Sequence, residues 1–238
     1  MSSFPSLSVI IPFYNEEDNV DFVLGEIVDV LDDGDRDWEI IAVDDGSTDR
    51  TGGLLAAAAG RIPRLRVLSH SRNLGKDAAF WYAFKISRGV CLVTLDGDGQ
   101  NDFRDVPAML EMLDGCEAVF GQRTKREDPI QKLIASRIGF FFRRLVLADD
   151  VEDTACGLKV LKRTALAAIL PVEGFHRFIP FMLRQAGCPY KTKSVHHRPR
   201  RAGKTKFSLR RGYFLRTVMD LFFMWWYKKN NLLRGTFT

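Results

Sequence analysis

The chain has 238 residues, of which 46% are hydrophobic and 27% are charged, and its formal net charge is +5. These proportions are typical of a folded globular chain and exclude an intrinsically disordered one. No stretch supplies the roughly 20 apolar residues of a membrane span, and the N-terminus lacks the basic start of a signal peptide. We therefore expect neither a transmembrane helix nor a signal peptide.

The charge is distributed unevenly along the chain. Residues 1–120 contain 10 Lys and Arg against 22 Asp and Glu, whereas residues 121–238 contain 25 against 8. A basic half favours an anionic partner, although mutual neutralisation of the two halves within one domain would also explain it. The four cysteines show no C-x-x-C spacing, which excludes a zinc ribbon. Their small number and scattered positions are typical of a protein of the reducing cytoplasm.

Apolar runs alternate with helical patterns in the first half. The predicted strands are 7–12, 38–43, 65–68 and 90–95, and the predicted helices are 19–31, 50–61, 77–87 and 106–113. This alternation predicts an α/β fold with a mostly parallel sheet and helices on both faces. Ligands of such sheets bind beyond the carboxyl ends of the strands.

The second half is less regular. The predicted helices are 130–147, 164–169, 178–185 and a last helix that ends near 228; the predicted strands are 157–161 and 191–195. A basic loop with a glycine, 196–206, precedes the last helix. We find no internal repeat and no low-complexity linker.

Two carboxylate clusters follow predicted strands. Asp44, Asp45 and Asp49 follow the second strand, and Asp96 and Asp98 follow the fourth. Carboxylates that converge on one sheet edge repel each other unless a cation is present, and oxygen ligands suit Mg²⁺ or Mn²⁺. Turn formation and helix capping are the alternative for such residues. A strand that ends in D-x-D-G is also found in aspartate-nucleophile phosphatases, although Gln100 fits that pattern poorly.

Three strings together resemble the family 2 inverting glycosyltransferases of the GT-A fold. They are SVIIPFYNEE at 8–17, VDDGSTD at 43–49 and LDGDGQ at 95–100. Three further strings resemble the subgroup that transfers sugars to dolichyl or polyprenyl phosphate: GQR at 121–123, DTACGLK at 153–159 and RRAGKTKF at 200–207. The resemblance implies a Rossmann-like nucleotide-sugar transferase fold over about residues 7–210.

The resemblance also implies roles for individual residues. The implied nucleotide-sugar contacts are Pro12, Tyr14, Glu16, Val43, Asp45, Asp96, Gly97, Asp98 and Arg123. Lys76, at the start of a predicted helix, is a further diphosphate contact, with a solvated lysine as the alternative. The implied metal ligands are Asp96, Asp98 and Gln100, and the implied acceptor-phosphate contacts are Arg200 and Lys206. The need to neutralise an anionic acceptor adds Arg177 to these contacts. The implied catalytic residues are Asp98, Arg123 and Asp153, with Asp153 either a general base or a residue that orders nearby cations. The stretch Cys156–Lys159 departs from the commoner Ser-Gly-Phe-Arg version.

These roles imply a metal-dependent enzyme that uses Mg²⁺ or Mn²⁺. It would move a sugar from a UDP- or GDP-linked donor to polyprenyl phosphate, with inversion, at the cytoplasmic face of the cell membrane. Transfer to a sugar hydroxyl in glycan or glycolipid synthesis is the first alternative, and a non-catalytic nucleotide-sugar-binding scaffold is the second. The residues leave the sugar, the nucleotide and the lipid chain length open.

Two segments combine aromatic and basic residues, namely 133–147 and 210–229. This composition is typical of helices that lie in a membrane interface, so we expect peripheral membrane attachment; core packing or a homo-oligomer contact are the alternatives. We divide the chain into a catalytic domain, 1–208, with a nucleotide half 1–120 and an acceptor half 121–208, and a C-terminal amphipathic helix within 209–238. We expect no nucleic-acid partner, because the basic loop lacks interleaved aromatics and a recognition helix.

Overall fold

The computed structural model describes residues 6–34, 36–123, 130–148, 150–201 and 211–230. Its centre is a seven-stranded sheet with the order β3-β2-β1-β4-β6-β5-β7. The strands are β1 (Leu7–Phe13), β2 (Trp38–Asp44), β3 (Leu65–Ser69), β4 (Cys91–Thr94), β5 (Ala118–Arg123), β6 (Lys159–Lys162) and β7 (Tyr190–Val195). Among these described strands, β6 runs antiparallel to both neighbours and the other pairs are parallel. The predicted mostly parallel sheet is therefore confirmed.

Seven α-helices are described around the sheet. They are α1 (Val20–Asp32), α2 (Thr51–Arg61), α3 (Lys76–Ile86), α4 (Val106–Glu111), α5 (Ile130–Leu147), α6 (Ile179–Gln185) and α7 (Arg211–Lys229). Short 3₁₀ helices occupy Phe103–Asp105, Arg163–Ala168 and Phe175–Arg177. None of these described helices is both long enough and apolar enough to cross a bilayer.

The sheet separates two hydrophobic cores. Alternate residues of β1 point to opposite faces, so that Val9 and Ile11 pack with α1 and α2 whereas Ile10 packs with α3. Both faces are apolar because helices cover both, which explains why the central strands are almost continuously hydrophobic. Each core therefore fixes the orientation of the strand ends that carry the carboxylates.

The sequence pattern misses one strand and misplaces two elements. It does not predict β5, because the run Ala118–Phe120 is short and passes directly into the polar Gln122 and Arg123. The strand predicted from Gly157 begins at Lys159, and the helix predicted over 164–169 is a 3₁₀ helix.

Helix α7 packs against α5 and against the turn before α6. The side chains of Met224 and Tyr227 are buried, the ammonium of Lys228 donates to the Val146 carbonyl, and Asp220 pairs with Arg177 at 2.9 Å. The expected division of the chain near residue 208 lies outside the described residues and stays a prediction.

Gly46 allows the loop after β2 to approach the 70–75 loop. Its φ is +69°, and a Cβ there would lie 2.2 Å from the Arg72 carbonyl carbon. We predict that Gly46→Ala lowers the free energy of unfolding by about 2–4 kcal/mol, because the conformation and the space both exclude a side chain. Urea denaturation measures this change.

Gly53→Ala is the matched control for that substitution. Gly53 lies within α2, and apart from the adjoining backbone of that helix no described atom lies within 4 Å of the position of a Cβ. Alanine there should leave stability unchanged or raise it by up to about 1 kcal/mol. Equal losses in the two variants would contradict the steric argument.

Candidate active site

The loop after β4 brings Asp96 and Asp98 to the carboxyl edge of the sheet. Gly97 lies against the end of β1, where a Cβ would come 2.8 Å from the Pro12 carbonyl oxygen. Gly99 has a φ of +72°. The loop therefore follows a path that glycine alone permits at Gly97 and favours at Gly99, and the two aspartates keep a fixed spacing.

Asp96 pairs with the ammonium of Lys76. Burial disfavours the ionised carboxylate, but the charges of Lys76 and Lys159 outweigh it and hold the pKa of Asp96 below its ordinary value. Lys76 begins α3 directly after Gly75, whose φ of +92° sets the direction of the helix. The predicted diphosphate contact of Lys76 would require the ammonium to move from Asp96 or to bridge both anions.

Asp98 pairs with Arg200, whose guanidinium also reaches Glu16. The distances are 2.9 Å from Arg200 to Asp98 Oδ2 and 3.0 Å to Glu16 Oε1. Burial and the neighbouring charge of Asp96 raise the pKa of Asp98 despite Arg200. The structure thus places a predicted acceptor residue in direct contact with a predicted metal ligand.

The donor groups at this edge fit a hard divalent cation. Asp96 and Asp98 supply oxygens that destabilise each other when both are charged, and a bound cation relieves such repulsion. Gln100 stands beside them, with its main-chain N–H donating to Asp98 Oδ1 at 3.2 Å. Within the described residues, no group of three or more His, Cys, Asp or Glu has the arrangement of a metal cage. Such a pair binds Mg²⁺ typically together with substrate phosphates.

The other predicted nucleotide residues lie around the ends of β1 and β2. Pro12 and Tyr14 are half-buried and Glu16 is buried. The Val43 side chain lies wholly within the core, so only its main chain can face a nucleotide. The Asp45 carboxylate is buried and accepts hydrogen bonds from the main-chain N–H groups of residues 74 and 75, at 2.9 and 2.8 Å. His70 Nδ1 also lies 2.8 Å from this carboxylate, which therefore fixes the loop that leads into α3.

Arg123 and Asp153 form a buried two-point ion pair. Arg123 Nε lies 2.5 Å from one carboxylate oxygen and its terminal nitrogen lies 2.7 Å from the other. Gln122 accepts a hydrogen bond from the main-chain N–H of Asp153 at 3.0 Å. The end of β5 thus positions the loop that carries Asp153. Since both carboxylate oxygens accept from Arg123, the geometry favours an ordering role over proton abstraction.

Arg177 lies in the short 3₁₀ helix Phe175–Arg177, before α6. It contacts Asp220 of α7, and the preceding residue, His176, lies 2.6 Å from Asp77. The predicted contact of Arg177 with an acceptor phosphate would require the Asp220 pair to open. Lys206, the third predicted acceptor residue, lies outside the described residues.

Sequence reasoning gave no separate role to Lys159, which the structure places under the aspartate loop. Its side chain is 3% exposed, and its ammonium donates to the Cys156 carbonyl. Burial and repulsion by Lys76 lower the pKa of Lys159 to about 8. The adjoining Gly157 packs so closely that a Cβ would lie 2.6 Å from the Asp96 carboxylate. The signal in the sequence was a lysine directly before the apolar pair Val160-Leu161, because a lysine is rarely buried unless it is paired with an opposite charge.

Comparison with known proteins identifies the family of this chain. Residues 8–170 match glycosyl transferase family 2, and the chain belongs to that family. A dodecaprenyl-phosphate galacturonate synthase of Rhizobium johnstonii is 29% identical over 97% of this chain and 70% of its own length. An undecaprenyl-phosphate 4-deoxy-4-formamido-L-arabinose transferase of Edwardsiella ictaluri is 31% identical over 88% of this chain and 66% of its own length. The chain thus spans about two thirds of the length of these relatives.

Solved structures of glucosyl-3-phosphoglycerate synthase from Mycobacterium tuberculosis share the architecture. The complex with phosphoglyceric acid has a TM-score of 0.66 at 20% identity and covers 94% of this chain and 80% of its own. A complex with Mn²⁺, UDP-glucose and phosphoglyceric acid has a TM-score of 0.63 at 22% identity, with 82% and 72% covered. At these identities the likeness shows the fold, which is the GT-A architecture implied by the sequence motifs.

The buried ammonium of Lys159 leads to a stability prediction. The unfolded chain holds this proton up to about pH 10.5 and the folded chain up to about pH 8, so the contribution of Lys159 to stability should become less unfavourable as the pH rises across that interval. We predict that Lys159→Met raises the free energy of unfolding by about 2 kcal/mol at pH 7, and that this gain shrinks towards pH 10.5.

Urea denaturation at pH 7 and pH 10 measures this effect, with Lys162→Met as the control. Lys162 lies on the same strand but is partly exposed and pairs with Glu117 at 3.4 Å, so its replacement should change stability little. A loss of stability in Lys159→Met would contradict the inference that burial of the charged ammonium lowers the free energy of unfolding.

Proposed function

We propose that this protein is an inverting glycosyltransferase that moves a sugar from a nucleotide-diphosphate donor to polyprenyl phosphate. The observation that carries the proposal is the contact between Arg200 and Asp98. It joins the basic acceptor motif to the aspartate pair expected to hold the donor, so that donor and acceptor phosphates would meet at one place. The names of the relatives from Rhizobium and Edwardsiella, which are polyprenyl-phosphate sugar enzymes, support this acceptor class.

The reaction exchanges one bond to the anomeric carbon for another. An oxygen of the acceptor phosphate forms a bond to that carbon while the bond to the donor diphosphate breaks, and the nucleoside diphosphate leaves with the electron pair. Attack opposite the leaving group inverts the anomeric centre. A divalent cation at Asp96 and Asp98 would supply Lewis-acid stabilisation of the leaving diphosphate.

The residues of the chain meet the electrostatic demand of bringing two anions together. Lys76 stands beside Asp96 and can donate to a diphosphate oxygen. Arg200 can neutralise and orient the acceptor phosphate. A phosphate monoester has its second pKa near 6 and is already anionic at neutral pH, so it needs no general base. This agrees with the pairing of both Asp153 oxygens to Arg123.

An exposed aromatic patch is the surface proposed to meet the membrane. The patch comprises Phe141, Phe142 and Leu145 of α5 and Met219, Phe222, Phe223 and Trp226 of α7, all of them exposed. Lys228 and Lys229 end α7 beside it. Apolar side chains flanked by cations fit a surface of anionic headgroups, and such a surface is where a polyprenyl phosphate is found. We assign this contact to the cytoplasmic face, where nucleotide sugars are available.

The central test is a transfer assay with undecaprenyl phosphate in detergent and a panel of labelled UDP- and GDP-sugars. We expect label to enter the organic phase with one donor and to disappear with EDTA. Asp98→Asn should lower the rate at least about 100-fold, because it weakens the group that holds the leaving diphosphate. Asp21→Asn, on the exposed face of α1, is the control and should retain activity.

The same assay separates the alternatives. Label that moves to a sugar hydroxyl without lipid phosphate would contradict the proposed acceptor and return Asp153 to the role of general base. Nucleotide-sugar binding without turnover of any acceptor would indicate a binding protein instead of an enzyme.

The aromatic patch gives a separate prediction. Leu145→Ser combined with Phe222→Ser should weaken sedimentation with phosphatidylglycerol vesicles by about tenfold, because two side chains that would enter the interface become polar. Nucleotide affinity should not change. Val90→Ser replaces an equally exposed apolar residue away from the patch and should leave vesicle binding intact.

Unchanged vesicle binding in the double variant would contradict the membrane assignment. Sedimentation velocity of the wild type and the double variant then decides whether the patch joins copies of the chain, since loss of a dimer in the variant would identify an oligomer contact.

A further inference from the structure

Residues 196–201 form a strap that lies across the aspartate loop. Alternate residues of the strap contact carboxylates of the nucleotide half: His196 contacts Asp105, Arg198 contacts Glu26, and Arg200 contacts Asp98. His197 of the strap forms an antiparallel bridge with Asn101. The strap therefore lies in register with the loop that carries Asp96 and Asp98, and it carries the first residues of the acceptor motif.

Arg198 is the fixed point of the strap. Its guanidinium lies 2.5 Å from Glu26 and 2.7 Å from Asp102. Its main chain exchanges two hydrogen bonds with Gln100, one to the Gln100 carbonyl at 2.9 Å and one from the Gln100 side-chain amide at 3.2 Å. None of its carboxylate partners belongs to the aspartate pair, so a cation at Asp96 and Asp98 does not compete for the Arg198 guanidinium.

Arg200 occupies a different position, because its partners belong to the donor site. It spans Glu16 and Asp98 with the two ends of one guanidinium group. The oxygen that accepts from Arg200, Asp98 Oδ2, belongs to a carboxylate that is predicted to hold the divalent cation. A guanidinium and a metal dication in contact with the same carboxylate repel each other strongly in a half-buried site. Metal binding at Asp98 and the contact with Arg200 therefore compete.

We propose that the Arg200 guanidinium occupies the metal site until the metal and the donor bind, and that their binding displaces it towards the acceptor phosphate. While the donor is absent, Arg200 neutralises Asp98 and Glu16 and is engaged with carboxylates instead of phosphate. When the cation and the nucleotide diphosphate bind, the cation takes over Asp98 and Arg200 turns to the incoming anion, with Arg198 holding the strap in register. Acceptor binding is then conditional on donor binding. The acceptor half of this inference rests on the proposed function.

Mn²⁺ binding without nucleotide or lipid tests the first half. The signal of free Mn²⁺ in electron paramagnetic resonance reports the dissociation constant of the full-length protein. We expect Arg200→Gln to bind Mn²⁺ about fivefold more tightly or better, which corresponds to removing a competitor of about 1 kcal/mol. Arg201→Gln is the control, because it removes the same charge, one residue along the chain, from a guanidinium that stacks on the Phe22 ring, 4.7 Å from its centroid.

Equal Mn²⁺ affinities in the two variants would overturn the inference, because they would assign any gain to net charge alone. A tighter affinity in Arg200→Gln alone supports direct competition. Thermal denaturation of both variants confirms that each is folded before the affinities are compared.

The second half is tested on the wild type, so it does not depend on the folding of a variant. The probe is citronellyl phosphate, a short prenyl phosphate monoester, measured by calorimetry with and without Mn²⁺ and UDP. We expect its affinity to rise at least about fivefold when Mn²⁺ and UDP are present, and by reciprocity the probe should tighten the joint binding of Mn²⁺ and UDP by the same factor. In Arg200→Gln this coupling should vanish.

The outcomes separate this inference from the proposed function. Probe affinity that is independent of Mn²⁺ and UDP would overturn the exchange of Arg200, even if the transfer assay yields lipid-linked sugar. Absence of probe binding in every state, together with tighter Mn²⁺ binding by Arg200→Gln, would overturn the lipid-phosphate acceptor and leave the displacement of Arg200 by metal supported.

Discussion

Repulsion between carboxylates at one edge of the sheet is the constraint on which the rest of the site depends. The parallel strands deliver Asp96, Asp98 and Glu16 to the same edge, where burial raises the cost of their charges. Each of these three carboxylates is paired with a cation or a hydrogen-bond donor from another part of the fold. The pairing of Lys76 with Asp96 and of Arg200 with Asp98 and Glu16 is the most direct expression of this constraint.

The same constraint explains why an acidic half and a basic half are joined in one chain. The basic residues of the strap, Arg198 and Arg200, lie on acidic residues of the first half instead of extending into solvent. Mutual neutralisation and recognition of anionic substrates are therefore compatible, because the same guanidinium can serve a carboxylate in one state and a phosphate in another. Lys159 shows that this neutralisation carries a desolvation penalty, because its ammonium is buried close to Asp96.

The sequence predicted most of the fold because its signals are local. Hydrophobic periodicity located β1, β2, α1 and α5 almost to the residue. It failed at β5, whose exposure to the site makes its second half polar. The motifs identified the aspartates and Arg200, but no local pattern could reveal that Arg200 lies on Asp98, because 102 positions separate them in the chain. For the same reason the partners of Arg177 and Asp153 required the three-dimensional structure.

The turn at Gly174–Arg177 joins two distant parts of the molecule. His176 holds Asp77 in the first turn of α3, next to Lys76, while Arg177 holds Asp220 of the C-terminal helix. A shortened chain that lacks the aromatic helix would therefore remove Asp220 from its contact with a largely buried arginine. That arginine adjoins the residue that anchors α3 beside the aspartate loop. Removing the helix would make the protein more soluble but would disorder the turn beside α3. Replacing the exposed aromatic residues of the helix one by one with polar residues avoids that loss.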